Sequence, residues 1–162
     1  MADRGREGSR RTFPAQRLPF RETRRVRVMI LRILVAEGYP AGADSTATLL
    51  RTWGHEVKVA ADGPSALLAA QTYQPDVIVL DIDLPDMGGW KVAKLLHEQA
   101  TGNRPLLLAV TGYGPGCDTQ HSSDSGVDLH LIKPLDPDEL RLLLDNWQAI
   151  LASQALALTC VA

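Results

Sequence analysis

Five polar side chains in this 162-residue chain follow a short apolar run, directly or within three residues. They are Glu37, Asp81, Asp83, Thr111 and Lys133. Carboxylates are hard oxygen ligands that suit Mg²⁺, and a lysine and a hydroxyl add a positive charge and a hydrogen-bond donor. An aspartate is also a competent nucleophile for phosphoryl transfer, in which it forms an acyl phosphate, and a metal neutralises the charge that develops. The residue types predict a site for a phosphoryl group, provided that the fold brings them together.

The apolar runs that precede these residues are predicted to be strands. The five predicted strands are Leu31–Ala36, Glu56–Ala60, Val77–Leu80, Pro105–Val110 and Leu129–Ile132. Val77–Leu80 and Pro105–Val110 are continuously apolar, as in strands that a parallel sheet buries on both faces. Glu56–Ala60 alternates polar and apolar residues, so it is predicted to be an edge strand.

Helical spacing of apolar residues alternates with the strands. The predicted helices are Tyr39–Trp53, Ser65–Tyr73, Trp90–Glu98 and Leu140–Leu151, the last after the acidic start Asp136–Glu139. Segment 113–125 is rich in Gly and Ser and is expected to hold only a short or frayed helix. The order is β-α repeated five times, which predicts an α/β fold with a five-stranded parallel sheet and helices on both faces. The strand ends then meet at one edge of the sheet, and the five polar residues converge there.

Charge and composition divide the chain into three parts. Residues 1–30 hold nine arginines and three acidic residues, a balance of +6, whereas residues 31–162 have a balance of −8. We expect a disordered basic arm over residues 1–29, a folded domain over 30–151, and a tail over 152–162 that extends the last helix or frays. The alternative to a basic arm is that Met29, directly before the first predicted strand, is the initiator methionine. The acidic folded part argues against nucleic-acid binding by its own surface.

Cysteine usage and hydropathy indicate a cytoplasmic protein. Cys117 and Cys160 have no metal-ligand spacing and form no disulfide framework. A reducing cytoplasm is the expected compartment. No apolar run approaches the length that spans a bilayer, so no membrane contact is expected.

The motifs PDVIVLDIDLPDMGGW, AVTGYG and LHLIKPLDPDEL resemble those of the response-regulator receiver domain, the module of two-component phosphorelays. WGHEVKVAADGPSAL is also typical, and the resemblance extends from Leu31 to Leu151, about three quarters of the chain. It implies a flavodoxin-like (βα)5 fold with strand order 2-1-3-4-5. It also implies a histidine kinase or a histidine phosphotransfer protein as the phosphoryl donor, and a downstream protein target.

The resemblance assigns a role to each residue of the predicted site. Asp81 resembles the phosphoacceptor, Thr111 the hydroxyl that moves to meet the phosphoryl oxygen, and Lys133 the ion-pairing partner. The Lys133–Pro134 peptide is expected to be cis. The backbone carbonyl of Asp83 is expected to face the metal.

The chain departs from the family pattern at three places. The family has an acidic pair after its first strand, and here the pair is Glu37-Gly38, so one metal ligand is missing. Glu37, Asp81 and Asp83 remain as candidate ligands, and we expect weaker Mg²⁺ binding than in a typical receiver. His130 stands where many receivers carry a Tyr or Phe switch, and it either switches or packs passively. The third departure is the Gly- and Ser-rich segment 113–125, a face through which receivers often signal.

Three functions are compatible with these residues. The leading hypothesis is a single-domain response regulator that has no DNA-binding domain and signals through protein contacts, with a homodimer as one option. Such a protein catalyses at most its own phosphorylation and dephosphorylation. The second is a pseudo-receiver that binds partners without phosphorylation, because Gly38 carries no carboxylate. The third is a phosphatase resembling the haloacid dehalogenases, with Asp81 as nucleophile and Asp83 as general acid. That family has its Asp-x-Asp on an early strand, whereas here it follows the third.

Overall fold

The computed structural model describes residues 29–100, 104–112 and 125–159. Its five strands are β1 (Arg32–Ala36), β2 (Glu56–Ala60), β3 (Val77–Asp81), β4 (Leu106–Thr111) and β5 (Leu129–Ile132). Its described helices are α1 (Pro40–Thr52), α2 (Gly63–Tyr73), α3 (Gly89–Gln99) and α4 (Pro137–Thr159). All five predicted strands and the four predicted helices outside segment 113–125 are confirmed, with their boundaries shifted by three residues at most, except at the end of α4.

The strands form one parallel sheet in the order β2-β1-β3-β4-β5. This confirms the predicted order and places Glu56–Ala60 at an edge. Every residue of β3 and β4 is buried, because helices cover the sheet on both faces. On one face, alternate strand residues pack against Leu50 of α1 and Leu140 of α4. On the other, the intervening residues pack against Ala66 of α2 and Val92 of α3.

Helix boundaries differ from the prediction where side chains cap the backbone. Helix α2 begins at Gly63, because Asp62 accepts a hydrogen bond from the Ser65 backbone while the Ser65 hydroxyl accepts one from the Asp62 backbone. Helix α4 begins at Pro137 after Asp136, whose carboxylate accepts from the Asp138 backbone at 2.9 Å. Helix α4 then continues to Thr159, so most of the predicted tail is helical.

Several predictions concern residues that the structure does not describe. The expected short helix over 113–125 lies outside the described residues apart from Ser125, and the basic arm lies outside them apart from Met29. Cys117 and Cys160 also lie outside them. Within the described ranges, no helix is long and apolar enough to cross a membrane.

Candidate functional site

Asp81 is the last residue of β3 and lies at the centre of the site. It is 4% exposed. Its Oδ2 accepts a hydrogen bond from Lys133 Nζ at 2.8 Å, and its Oδ1 accepts one from the Asp83 backbone N–H at 3.0 Å. A Cβ at Gly89 would clash with the Asp81 carbonyl oxygen, so the first turn of α3 approaches Asp81 as only glycine allows. The carboxylate is therefore held in one orientation by two donors and a closely packed backbone.

Glu37 follows β1 directly and meets the same lysine. The distance from Lys133 Nζ to Glu37 Oε2 is 3.0 Å. The Glu37 backbone N–H donates to the Ala60 carbonyl at 3.0 Å, which extends the β1–β2 pairing by one residue. Burial raises the pKa of Glu37, as does the nearby Asp81 carboxylate, although Lys133 acts in the opposite direction. Two carboxylates thus share one cationic partner.

Lys133 reaches both carboxylates from the end of β5. Its backbone N–H donates to the Thr111 carbonyl at 2.8 Å, and the Lys133–Pro134 peptide is cis, as predicted. Burial acts to lower the pKa of Lys133, but its hydrogen bonds to Asp81 and Glu37 prevail and raise the pKa above its usual value. The ammonium is therefore positively charged at neutral pH and balances part of the negative charge of the site.

Thr111 and Asp83 occupy different surroundings in the site. Thr111 ends β4, is 4% exposed and pairs in register with Ile132 of β5. The side chain of Asp83 is exposed, and the hydrogen bond between Asp83 and Asp81 is donated by the Asp83 backbone N–H. The structure thus brings Glu37, Asp81 and Lys133 together by their side chains, with Thr111 at the neighbouring strand end.

The donor set fits a magnesium ion with two protein carboxylates. Among the residues that the structure describes, no three His, Cys, Asp or Glu side chains are grouped so that they could hold a metal ion. The three predicted ligands Glu37, Asp81 and Asp83 are therefore not one cluster. Glu37 and Asp81 do converge on a single cation, and Mg²⁺ commonly keeps several waters beside one or two carboxylates. Those two residues would hold the ion.

His130, the predicted switch residue, lies in the middle of β5 opposite Ala109. Its ring centroid is 5.6 Å from that of Trp90, at an interplanar angle of 41°. The Trp90 ring was not among the predicted functional residues. Its position directly after Gly89, where α3 begins against Asp81, is the signal in the sequence that could have identified it.

Comparison with known proteins agrees with this geometry. The family model described as "Response regulator receiver domain" matches residues 33–145. The receiver domain of a sensor histidine kinase from Pseudomonas aeruginosa, solved with magnesium in its active site cleft, superposes with a TM-score of 0.68 at 27% identity over 75% of this chain and 99% of that one. A CheY-like receiver from Methanospirillum hungatei superposes with a TM-score of 0.66 at 28% identity over 75% and 98%.

A curated relative extends the comparison to full-length proteins. The "DNA-binding dual master transcriptional regulator RpaA" of Synechocystis is 36% identical over 110 residues, which are 67% of this chain and 45% of the relative. The chain spans less than half the length of the curated relatives that it matches.

The prediction of a regulator without a DNA-binding domain is wrong, because two of these relatives are described as a DNA-binding transcriptional regulator and a DNA-binding response regulator. The physical reason lies in what the sequence pattern encodes. Strand ends and their polar residues specify the phosphoryl site, but they carry no information about the segment that receives the signal.

Proposed function

The chain belongs to the response regulator receiver domain family, and on that premise we propose that it accepts a phosphoryl group on Asp81 from the phosphohistidine of a histidine kinase or a histidine phosphotransfer protein. The observation that carries the proposal is the ion pair between Asp81 Oδ2 and Lys133 Nζ, 2.8 Å long, at a buried strand end. This pair presents an oriented carboxylate nucleophile beside a fixed positive charge.

The transfer forms one P–O bond and breaks one P–N bond. A carboxylate oxygen of Asp81 attacks phosphorus, and the imidazole of the donor histidine leaves and takes up a proton. Lys133 stabilises the negative charge that spreads over the phosphoryl oxygens, because its ammonium already lies within 3.0 Å of both carboxylates. The Thr111 hydroxyl donates a hydrogen bond to a phosphoryl oxygen. A Mg²⁺ ion held by Glu37 and Asp81 would neutralise further charge during the transfer.

The product is a signal rather than a released metabolite. The acyl phosphate adds negative charge and acceptor oxygens at the edge of the sheet, and the neighbouring loops rearrange around them. We infer a signalling protein in the cytoplasm that catalyses at most its own phosphorylation and dephosphorylation. The names of RpaA and of the DNA-binding response regulator MtrA support control of transcription as the output.

One observation favours a second candidate function, that of a pseudo-receiver. Gly38 stands where the family carries its second acidic residue, and a site that holds its cation poorly transfers phosphoryl groups poorly. Such a protein would keep the fold and bind partners in a single state. The phosphatase alternative has no comparable support, because its Asp-x-Asp begins at the last residue of the central strand β3, in a sheet with receiver topology.

The experiment is a reaction with acetyl phosphate and Mg²⁺, followed by intact-mass measurement. Wild type is expected to gain the mass of one phosphoryl group, and Asp81→Asn is expected to gain none. Asp83→Asn is the matched control, because it alters an exposed carboxylate two residues away and should leave the adduct in place. A wild-type protein without any adduct would instead support the pseudo-receiver.

A further inference from the structure

The first turn of α3 packs directly against the strand that carries Asp81. The Gly89 backbone N–H donates to the Ile82 carbonyl at 2.9 Å, and a Cβ at Gly89 would clash with the Asp81 carbonyl oxygen. The Ile82 backbone N–H in turn donates to the Val110 carbonyl at 2.9 Å. Trp90, the residue after Gly89, is half-buried. Its backbone is therefore fixed with respect to Asp81 and to β4.

His130 is connected to the same site from the other side of β4. It lies three residues before Lys133 on β5 and its continuation. The Lys133 ammonium pairs with Asp81 at 2.8 Å, and the Lys133 backbone N–H donates to the Thr111 carbonyl at 2.8 Å. A change of charge at Asp81 therefore acts on the end of β5 through Lys133, close to His130.

The rings of Trp90 and His130 meet above β4. His130 pairs in register with Ala109, and Ala109 lies on the same face of the sheet as Leu107, which packs beneath α2 and α3. The side chain of His130 is therefore on the face that α3 covers. The small side chain of Ala109 leaves room there. The ring centroids of Trp90 and His130 are 5.6 Å apart, within the range in which aromatic rings attract each other.

The indole of Trp90 restrains the imidazole of His130. His130 is exposed, and β5 is an edge strand of the sheet. Within the described ranges, the imidazole has no hydrogen-bond or ion-pair partner and no second ring in contact with it. An exposed ring on an edge strand has few other restraints, so the orientation of the imidazole depends on the indole.

We propose that Trp90 is a positioning residue for the reaction at Asp81, because its indole holds the His130 ring toward α3 and stabilises the unphosphorylated arrangement of β5. This proposal rests on the proposed phosphoacceptor site at Asp81. Once Asp81 carries a phosphoryl group, Lys133 pairs with the phosphoryl oxygens, and the end of β5 shifts with respect to α3. The shift weakens the ring contact, so the contact opposes phosphorylation. Loss of the contact raises the fraction of unphosphorylated protein in the shifted arrangement, and phosphorylation becomes faster.

The test is a double-mutant cycle in which the rate of phosphorylation by acetyl phosphate and Mg²⁺ is followed by intact mass. Trp90→Leu removes the ring but keeps an apolar side chain, and His130→Ala removes its partner. We expect Trp90→Leu to react about threefold faster than wild type, and to have no further effect in His130→Ala. Trp90→Phe, which keeps a ring beside His130, should react at the wild-type rate. Trp53→Leu, the same substitution at the end of α1 on the other face of the sheet, is the control and should leave the rate unchanged.

The position of the imidazole is measured separately, on the unphosphorylated protein at one fixed pH, by NMR of the His130 Hε1 proton. The ring current of the nearby indole displaces this resonance. Trp90→Leu is therefore expected to shift the resonance, whereas Trp53→Leu is expected to leave it in place.

Three results would overturn the proposal. One is a rate in Trp90→Leu that is equal to or below that of wild type. Another is the same acceleration with and without the His130 ring, because the indole would then act only through packing. The third is an Hε1 resonance of His130 that does not respond to Trp90→Leu. Failure of the phosphoacceptor hypothesis has a different signature, namely a folded wild type that gains no phosphoryl mass, and the NMR measurement then still decides whether Trp90 positions the His130 ring.

Discussion

Lys133 Nζ lies 2.8 Å from Asp81 Oδ2, although the two residues are 52 positions apart in the chain. They meet because β3 and β5 are parallel and lie on either side of β4, so their carboxyl ends share one edge of the sheet. The same ammonium is 3.0 Å from Glu37 Oε2. One cation thus joins the ends of three strands and balances one buried and one partly buried carboxylate.

Replacing Lys133 with Met is expected to destabilise the protein at neutral pH by about 1–2 kcal/mol. Methionine keeps most of the side-chain length but leaves Glu37 and Asp81 side by side without a positive charge. The expected loss is small for a buried ion pair because the Lys133 side chain is 34% exposed. Urea unfolding monitored by circular dichroism measures the change. Lys91→Met, on the exposed side of α3, is the control, and equal stability of the two variants would contradict this account of Lys133.

The pair of rings formed by His130 and Trp90 is expected to report phosphorylation. If His130 is a switch, a phosphoryl group on Asp81 moves the His130 ring relative to the Trp90 indole. The fluorescence emission of Trp90 then changes. The measurement is the fluorescence of wild type with and without acetyl phosphate, beside Trp90→Phe and His130→Ala. The change should vanish in the first variant and be strongly reduced in the second. An unaltered emission spectrum of phosphorylated wild type would instead mean that His130 packs passively.

A third prediction concerns pH and rests on His55, which is 9% exposed. Burial lowers its pKa from 6.5, while Asp145 acts to raise it and Arg141 to lower it. The folded protein therefore resists protonation of His55 that the unfolded chain accepts. The stability that the folded protein gains from keeping His55 neutral is fully present above pH 6.5. It is lost as the pH falls from 6.5 through the lowered pKa of the folded state.

The measurement is the free energy of unfolding of wild type and of His55→Gln between pH 8 and pH 5, a range chosen to bracket the usual pKa of histidine. Wild type is expected to lose stability relative to the variant as the pH falls below 6.5. Two curves that stay parallel across the whole range would show that His55 does not titrate differently in the folded and unfolded states.

The strands and the site residues were predictable from the sequence because both depend on local patterns. A continuously apolar run such as Val77–Leu80 specifies a strand buried on both faces, and the residue that follows it must lie at the edge of the sheet. The sequence alone therefore predicts that Asp81 and Lys133 lie close together. The apolar periodicity of the last helix ends at Leu151, but alanine and leucine continue to favour helix up to Thr159, so α4 extends into the tail.

Contacts between distant segments could not be predicted in the same way. Trp90 and His130 are both visible in the sequence, but no periodic pattern indicates that their rings meet above β4. The contact depends on the close approach of Gly89 to Asp81, which arises only in the folded structure. The same holds for the hydrogen bond from the Asp83 backbone N–H to Asp81, which no sequence pattern indicates.

The most direct measurement identifies the residue that carries the phosphoryl group. Wild type treated with acetyl phosphate and Mg²⁺ is reduced with borohydride, which converts an acyl phosphate of aspartate to homoserine, and the digested protein is mapped by peptide mass spectrometry. The account predicts homoserine at position 81 alone, and none in Asp81→Asn. Homoserine at position 83, or no modified peptide in a folded wild type, would contradict the assignment of Asp81 as the phosphoacceptor.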